Sequence, residues 1–302
     1  MSTEPAAVPT PYAEQYLRSH DGLRLYARVY DGPHPGAATV LCLHGLTRTC
    51  RDFEDLAPHL RSRFRVIAPD LRGRGHSDRD PDALHYQPTV YAQDVLTLLA
   101  TVGAERVGIV GTSLGGLLAM MLAAMHPARI AGIVLNDVGP EVDPAGAARI
   151  RQYAGRLSPV ASWAEAVAQA RTTYGDAWPG LDAAYWERLA RRAYREDDQG
   201  VPQLDADPKI GAAFRAAPPA ALDLWPVWAA LKSLPTLAIR GAHSDILSAA
   251  TLARMQAEKP DLEVLEIAQR GHVPLLDEPG CLQRIDAFLT SLDFRDPIAP
   301  DQ

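Results

Sequence analysis

The chain has 302 residues, 47% hydrophobic and 22% charged, with a formal net charge of −7. That composition belongs to a globular protein with a large core and excludes a disordered chain. The acidic balance, with no basic stripe, argues against a nucleic-acid partner; the densest basic runs, Arg61-Ser62-Arg63-Phe64-Arg65 and Arg191-Arg192, have acids nearby and read as solvated faces.

Residues 1–12 read as a loose arm with neither the basic start nor the apolar stretch of a signal peptide. The longest apolar run, residues 114–125, is well short of the ~18 residues that a membrane span needs. Cysteines at 42, 50 and 281 show neither a disulfide framework nor metal-ligand spacing. The expected compartment is therefore the cytoplasm, with no membrane contact. Strand-like runs at 14–19 and 23–30 flank His20-Asp21-Gly22, a hairpin signal. Residues 39–43 form a continuous apolar run, as in a strand covered on both faces. A helical stretch near 53–60 and a second buried strand at 65–68 follow. A helix is expected from Pro88 to about Val102, where Tyr91, Val95, Leu98, Leu99 and Val102 recur at helical spacing and proline suits the first turn. Then come a strand at 107–110, a helix at 113–125 and a buried strand at 130–135.

From 139 to about 232 the texture changes to alanine, arginine and tryptophan in helical patterns. Strand–helix alternation then resumes, with strands at 237–239 and 262–267 and helices at 249–259 and 280–292. Such alternation predicts a mostly parallel sheet with helices on both faces. The expected organisation is a core of residues 1–138 and 233–302 with a helical cap, 139–232, inserted beyond a strand's C-terminal end, where open α/β sheets bind ligands.

The segment Gly111-Thr112-Ser113-Leu114-Gly115-Gly116 is a G-x-S-x-G turn between a predicted strand and a predicted helix, the context that gives the motif its meaning. A sharp strand-to-helix turn exposes the Ser113 hydroxyl above the sheet edge and needs small residues two positions to either side. The spacing does not suit a dinucleotide fingerprint, and no lysine follows as in a phosphate loop. A serine hydroxyl needs a base, and the base an orienting acid. With this elbow the chain order is serine, acid, histidine, which selects His272, in the loop after the last predicted strand, over His243 and the other histidines. The acid is expected to be Asp245, in the loop after the 237–239 strand, with Asp137, after the 130–135 strand, as the alternative. The oxyanion donors are expected to be the Leu114 N–H at the helix start and the Leu46 N–H in His44-Gly45-Leu46. All five tryptophans fall at or beyond residue 163, and Trp225 and Trp228, where the insertion rejoins the core, are the pocket candidates. Arg149, Arg151 and Arg156 are weighed as carboxylate partners and read as solvated surface.

Four signatures in order, His44-Gly45-Leu46, Asp70-Leu71-Arg72-Gly73-Arg74-Gly75-His76-Ser77, Gly111–Gly116 and Gly271-His272, resemble the α/β-hydrolase superfamily, in its capped serine esterase-like branch. The resemblance spans about residues 13–292. It implies an eight-stranded sheet with a helical cap after the sixth strand, an architectural role for the second signature, and hydrolysis through an acyl-enzyme without metal or organic cofactor. Serine at the elbow, where dehalogenase-like and epoxide hydrolase-like members carry aspartate, argues against those reactions. Thr112 and Val273 replace the asparagine and tryptophan common in carbon–carbon hydrolases of ring-cleavage products. The expectation is thus a carboxylesterase acting on a small apolar ester; the alternatives are a carbon–carbon hydrolase of a vinylogous diketone and a ligand-binding receptor.

Overall fold

The computed structural model describes residues 11–217 and 223–295; all but the last two residues of the expected N-terminal arm lie outside them. The hairpin at His20-Asp21-Gly22 joins β1 (Ala13–Arg18) to β2 (Arg24–Tyr30). Gly22 takes a positive φ of 90° at the turn. The buried runs become β3 (Thr39–Leu43), β4 (Arg65–Asp70), β5 (Val107–Thr112) and β6 (Ile130–Asn136). Two more strands follow late in the chain, β9 (Thr236–Gly241) and β10 (Glu263–Ile267).

These eight strands form one sheet in the order β1-β2-β4-β3-β5-β6-β9-β10. β1 and β2 pair antiparallel, as do β2 and β4, and every pairing from β4 to β10 is parallel. Alternate residues of a strand face opposite sides, so each central strand feeds two cores. On β6, Ile133 and Leu135 join the cluster that includes α2 (Pro88–Thr101) and α3 (Leu114–Met125). Val134 joins the cluster under α1 (Leu56–Leu60) and α10 (Cys281–Thr290), as does Ala131, which the pairing with β5 skips at an irregularity that breaks the alternation. Each fully buried aliphatic side chain contributes about 1.5–3 kcal/mol, which is why near-continuous apolar runs mark these strands. All three cysteines are buried thiols in the second cluster.

Between β6 and β9 the chain runs through α4 (Pro144–Tyr153), α5 (Trp163–Tyr174), α6 (Ala183–Ala193), the hairpin β7 (Tyr194–Glu196)–β8 (Pro202–Leu204), α7 (Pro208–Ala216) and α8 (Trp225–Ala230). Four of these helices start on a side-chain cap: the Asp143, Ser162, Asp182 and Asp207 side chains each accept a first-turn N–H. Such a cap is worth about 1 kcal/mol, and Pro144 and Pro208 occupy the first turn, where a missing N–H costs nothing. α5 and α6 pack on each other through two small clusters of their own, centred on Ala166–Ala190 and on Trp178–Trp186. The parallel sheet leaves its strand C-termini, and therefore the loops after β3, β5, β6, β9 and β10, at one edge. Among the described residues no helix is long and apolar enough to cross a membrane.

Candidate active site

Ser113 sits between the end of β5 and the first residue of α3, with φ 52° and ψ −114°. A positive φ costs a non-glycine residue about 1–2 kcal/mol, and the surroundings hold it there. The Ser113 N–H donates to the Asn136 carbonyl (3.0 Å), and its own carbonyl accepts from Gly116 and Leu117 (2.9 and 3.1 Å). Close packing dictates the glycines: a Cβ on Gly115 would lie 2.0 Å from the Leu43 carbonyl oxygen. The elbow thus wedges helix against strand and turns the hydroxyl out over the sheet edge.

His272 lies in the loop after β10. Its Nε2 is 3.0 Å from Ser113 Oγ, and its Nδ1 is 2.7 Å from Asp137 Oδ2. The carboxylate fixes the tautomer: Nδ1 carries the hydrogen and donates to Asp137, which leaves Nε2 to accept from the serine. The loop is pinned on several sides. Trp178 Nε1 donates to the Val273 carbonyl (2.7 Å), Asn136 Nδ2 to the Pro274 carbonyl (2.9 Å), and the Leu275 and Leu276 N–H groups to Glu278 (2.8 and 2.9 Å).

The carboxylate on His272 is therefore that of Asp137, and the expectation of Asp245 is corrected. Asp137 follows β6 directly and is fully buried. Its φ of 58° is a left-handed conformation that aspartate tolerates better than most residues. Its N–H donates to the Ile239 carbonyl (2.7 Å), Oδ1 accepts from the Gly241 N–H (2.8 Å), and Oδ2 accepts from Ser244 Oγ (2.6 Å) as well as from His272. Both oxygens of the buried carboxylate are thereby hydrogen-bonded. In the loop after β9 it is Ser244 that faces inward. Asp245, next along, faces α4 and forms a two-pronged pair with Arg149 at 2.6 and 2.9 Å, its side chain about one-third exposed. Burial is the largest single influence on the Asp245 carboxyl and raises it, but the hydrogen bonds and charge of Arg149 together outweigh burial and hold it below its usual range. α4 can approach because Gly146 has no side chain: a Cβ there would lie 2.0 Å from the Asp245 carbonyl oxygen.

The loop after β3 runs beside the serine and places Leu46 on the wall of a cavity of about 80 Å³ that also includes Ser113 and His272. The second signature holds that loop. Arg74 donates to the Leu46 carbonyl (3.0 and 2.8 Å), and Asp70 accepts from the Cys50 and His76 N–H groups (2.7 and 2.9 Å). Arg72, fully buried, is neutralised by Asp21, Asp80 and Asp94. Leu114 opens α3, so its N–H lies at the positive end of the helix.

His44 is built to stay neutral. Its Nδ1 is 2.8 Å from the Gly45 carbonyl and its Nε2 accepts the Leu71 N–H at 3.0 Å, so a second proton would break the latter bond. Burial, with Arg74 adding to it, lowers its pKa from 6.5 to about 4. The unfolded chain binds this proton first, so the His44 contribution to stability is fully present above pH 6.5. It declines as pH falls through the interval and is entirely lost below about 4, a loss on the order of 3 kcal/mol. Thermal melts from pH 7 to 4 should show this decline, and a His44→Asn variant should show a shallower one; equal slopes would refute the assignment.

The tryptophans are placed differently from expectation. Trp228, only 1% exposed, is packed in the core between sheet and α3 side chains. Trp225 donates to Glu141 (3.0 Å) and stacks under Arg254. Neither borders the cavity over Ser113. Its wall instead carries Trp178, Tyr153 and Tyr174, rings that stand in a row with centroids 5.7 and 5.0 Å apart. Arg48 and Arg192 also line it. Arg192, read from sequence as solvated, is buried, whereas its neighbour Arg191 is exposed. Of the three arginines weighed earlier, Arg149 pairs with Asp245, Arg151 donates to the Arg215 and Ala217 carbonyls, and Arg156 is exposed.

A family model for the alpha/beta hydrolase fold matches residues 38–279, and the chain belongs to that family. Among particular relatives, a 3-hydroxybutyrate-oligomer hydrolase of Cupriavidus necator is 34% identical over 267 residues, 83% of this chain and 88% of that protein. A 2-(acetamidomethylene)succinate hydrolase of Mesorhizobium japonicum is 29% identical over 233 residues, covering 77% and 81% of the two chains. The crystal structure of an α/β hydrolase from Novosphingobium aromaticivorans superposes with a TM-score of 0.88 at 45% identity, covering 94% of this chain and 99% of that one. The protein is thus a hydrolase-fold chain with hydrolase relatives.

Proposed function

We propose that this protein hydrolyses carboxylic esters through an acyl-enzyme on Ser113, with His272 as base and Asp137 as the acid that orients it. The observation that carries the reading is the continuous hydrogen-bonded line from Ser113 Oγ through His272 to buried Asp137, opening on a cavity. Ser113 attacks the ester carbonyl as His272 Nε2 takes its proton. The Leu46 and Leu114 N–H groups hold the oxyanion. His272 returns the proton to the leaving alcohol, and water attacks the acyl-enzyme with His272 again as base. Residues 139–232 act as the cap, because α4, α5 and α6 side chains close the cavity over the serine. The relative named for hydrolysing 3-hydroxybutyrate oligomers supports an ester substrate, since a hydroxy acid joins head to tail through ester bonds. We also place the protein in a reducing, cytoplasmic setting, where Cys42, Cys50 and Cys281 remain thiols.

The test is a panel of nitrophenyl esters, 3-hydroxybutyrate dimers and a vinylogous diketone, with a fluorophosphonate probe alongside. Turnover of esters and labelling by the probe are expected. Turnover of the diketone with none of the esters would move the reading to carbon–carbon hydrolysis, and binding without any turnover would make the protein a receptor.

A further inference from the structure

Two guanidinium groups border the cavity above Ser113, and the proposed triad uses neither. Arg192, at the end of α6, has a side chain only 6% exposed. Its Nη2 donates to Asp55 (2.7 Å) and Glu54 lies 3.6 Å from its Nε. That Nε is buried with no hydrogen-bond partner among the described residues. A guanidinium carries five N–H donors in a planar fork matched to carboxylates; Asp55 takes one of them and Glu54 faces a second, so Arg192 keeps donors to offer to the cavity it lines. Arg48, in the loop after β3, is paired with Asp52 through Nε (2.9 Å) and Nη2 (2.6 Å). It stands beside the nucleophile: a Cβ at Gly45 would be 3.5 Å from Arg48 Cγ and 3.8 Å from Ser113 Cβ.

The cavity wall therefore holds two arginines against one acid, Asp52, which is committed to Arg48. Glu54 and Asp55 stand behind Arg192, each more than one-third exposed or close to it, where water weakens their hold. Tyr153, Tyr174, Thr47, Thr112 and Asn136 add uncharged polar groups to the lining. A wholly apolar ester, the expectation from sequence, gives these groups nothing to bind.

We propose that the cavity takes esters bearing a free carboxylate, which Arg192 receives with Arg48 adding positive potential beside it, while Ser113 attacks an ester carbonyl of the same small molecule. This rests on the esterase reading of Ser113. For a short hydroxy-acid oligomer it means that the acid end is gripped and the chain is cut from that end.

The experiment compares kcat/KM of the full-length protein for a 3-hydroxybutyrate dimer as the free acid and as its methyl ester, with butyrate and butyramide as competitors. The free acid should be favoured by about tenfold or more, the effect of a charge-assisted hydrogen bond, and butyrate should inhibit where butyramide does not. In Arg192→Met the ratio of acid to methyl ester should fall towards one, and Arg192→Lys should keep part of it. Equal turnover of the two dimers by the unaltered protein, or an unchanged ratio in Arg192→Met, overturns the carboxylate proposal and leaves the esterase reading standing. Turnover of no ester in any form removes both. Should Arg192→Met fail to fold with Asp55 and Glu54 stranded, the acid-to-methyl-ester ratio and the butyrate contrast of the unaltered protein decide alone.

Discussion

Asp137→Asn is expected to lower kcat by about four orders of magnitude, and Asp245→Asn by less than about tenfold. Asparagine in place of Asp137 keeps the shape and the acceptor oxygen, but its amide can present N–H to His272 Nδ1. The imidazole then turns to the tautomer whose Nε2 already carries hydrogen, and the serine loses its base. The buried site makes the change severe, because Asp137 is closed off from bulk solvent that could stand in for the carboxylate. Asp245, by contrast, meets Arg149 at a partly exposed position, and exposed ion pairs are worth about 0–1 kcal/mol. Steady-state kinetics on a nitrophenyl ester reads both variants. A large loss at Asp245 with a small one at Asp137 would mean that the loop after β9 rearranges during turnover and supplies the acid.

Ser113→Ala should remove all fluorophosphonate labelling and lower kcat by about six orders of magnitude, and His272→Ala should cost about as much. The double variant should be scarcely worse than either single one, since a nucleophile without its base and a base without its nucleophile fail at the same step. Melting temperatures should move little, because the elbow is held by backbone bonds from Asn136, Gly116 and Leu117 that neither side chain makes. A loss below about tenfold in either single variant, against that expectation, would place the chemistry elsewhere.

The framework was legible because it is written in short-range chemistry. A strand buried on both faces needs an unbroken apolar run, and the elbow needs glycine at 111 and 115 whatever lies around it. The choice between Asp137 and Asp245 is not local. Both follow a strand in the proper chain order, and the outcome depends on which loop residue faces inward once β9 and α4 are packed. Ser244 takes the inward place, and a left-handed φ aims Asp137 at the histidine. Neither fact has a sequence signal beyond the tolerance of aspartate for that conformation. The cavity wall was harder still. Trp178 and Trp228 look alike in sequence, and only the docking of α5–α6 against the His272 loop puts the first over the serine, while α8 drops the second into the core. Arg192 beside Arg191 reads as a surface pair; the helix turns one of them inward by its 100° step per residue.

Ser113, Asp137 and His272 all belong to the sheet edge, and the chain leaves for α4 only after Asp137 has been set between β6 and β9. On the proposed reading the bond-breaking groups all lie outside the interval that brings Tyr153, Tyr174, Trp178 and Arg192 to the cavity, while Arg48 stays with the loop after β3. A graft that exchanges the interval beginning after Val138 and ending before β9 with that of a family relative should transfer the selectivity which that interval carries while the reacting groups stay in register, whereas a splice point two residues earlier would exchange the acid as well.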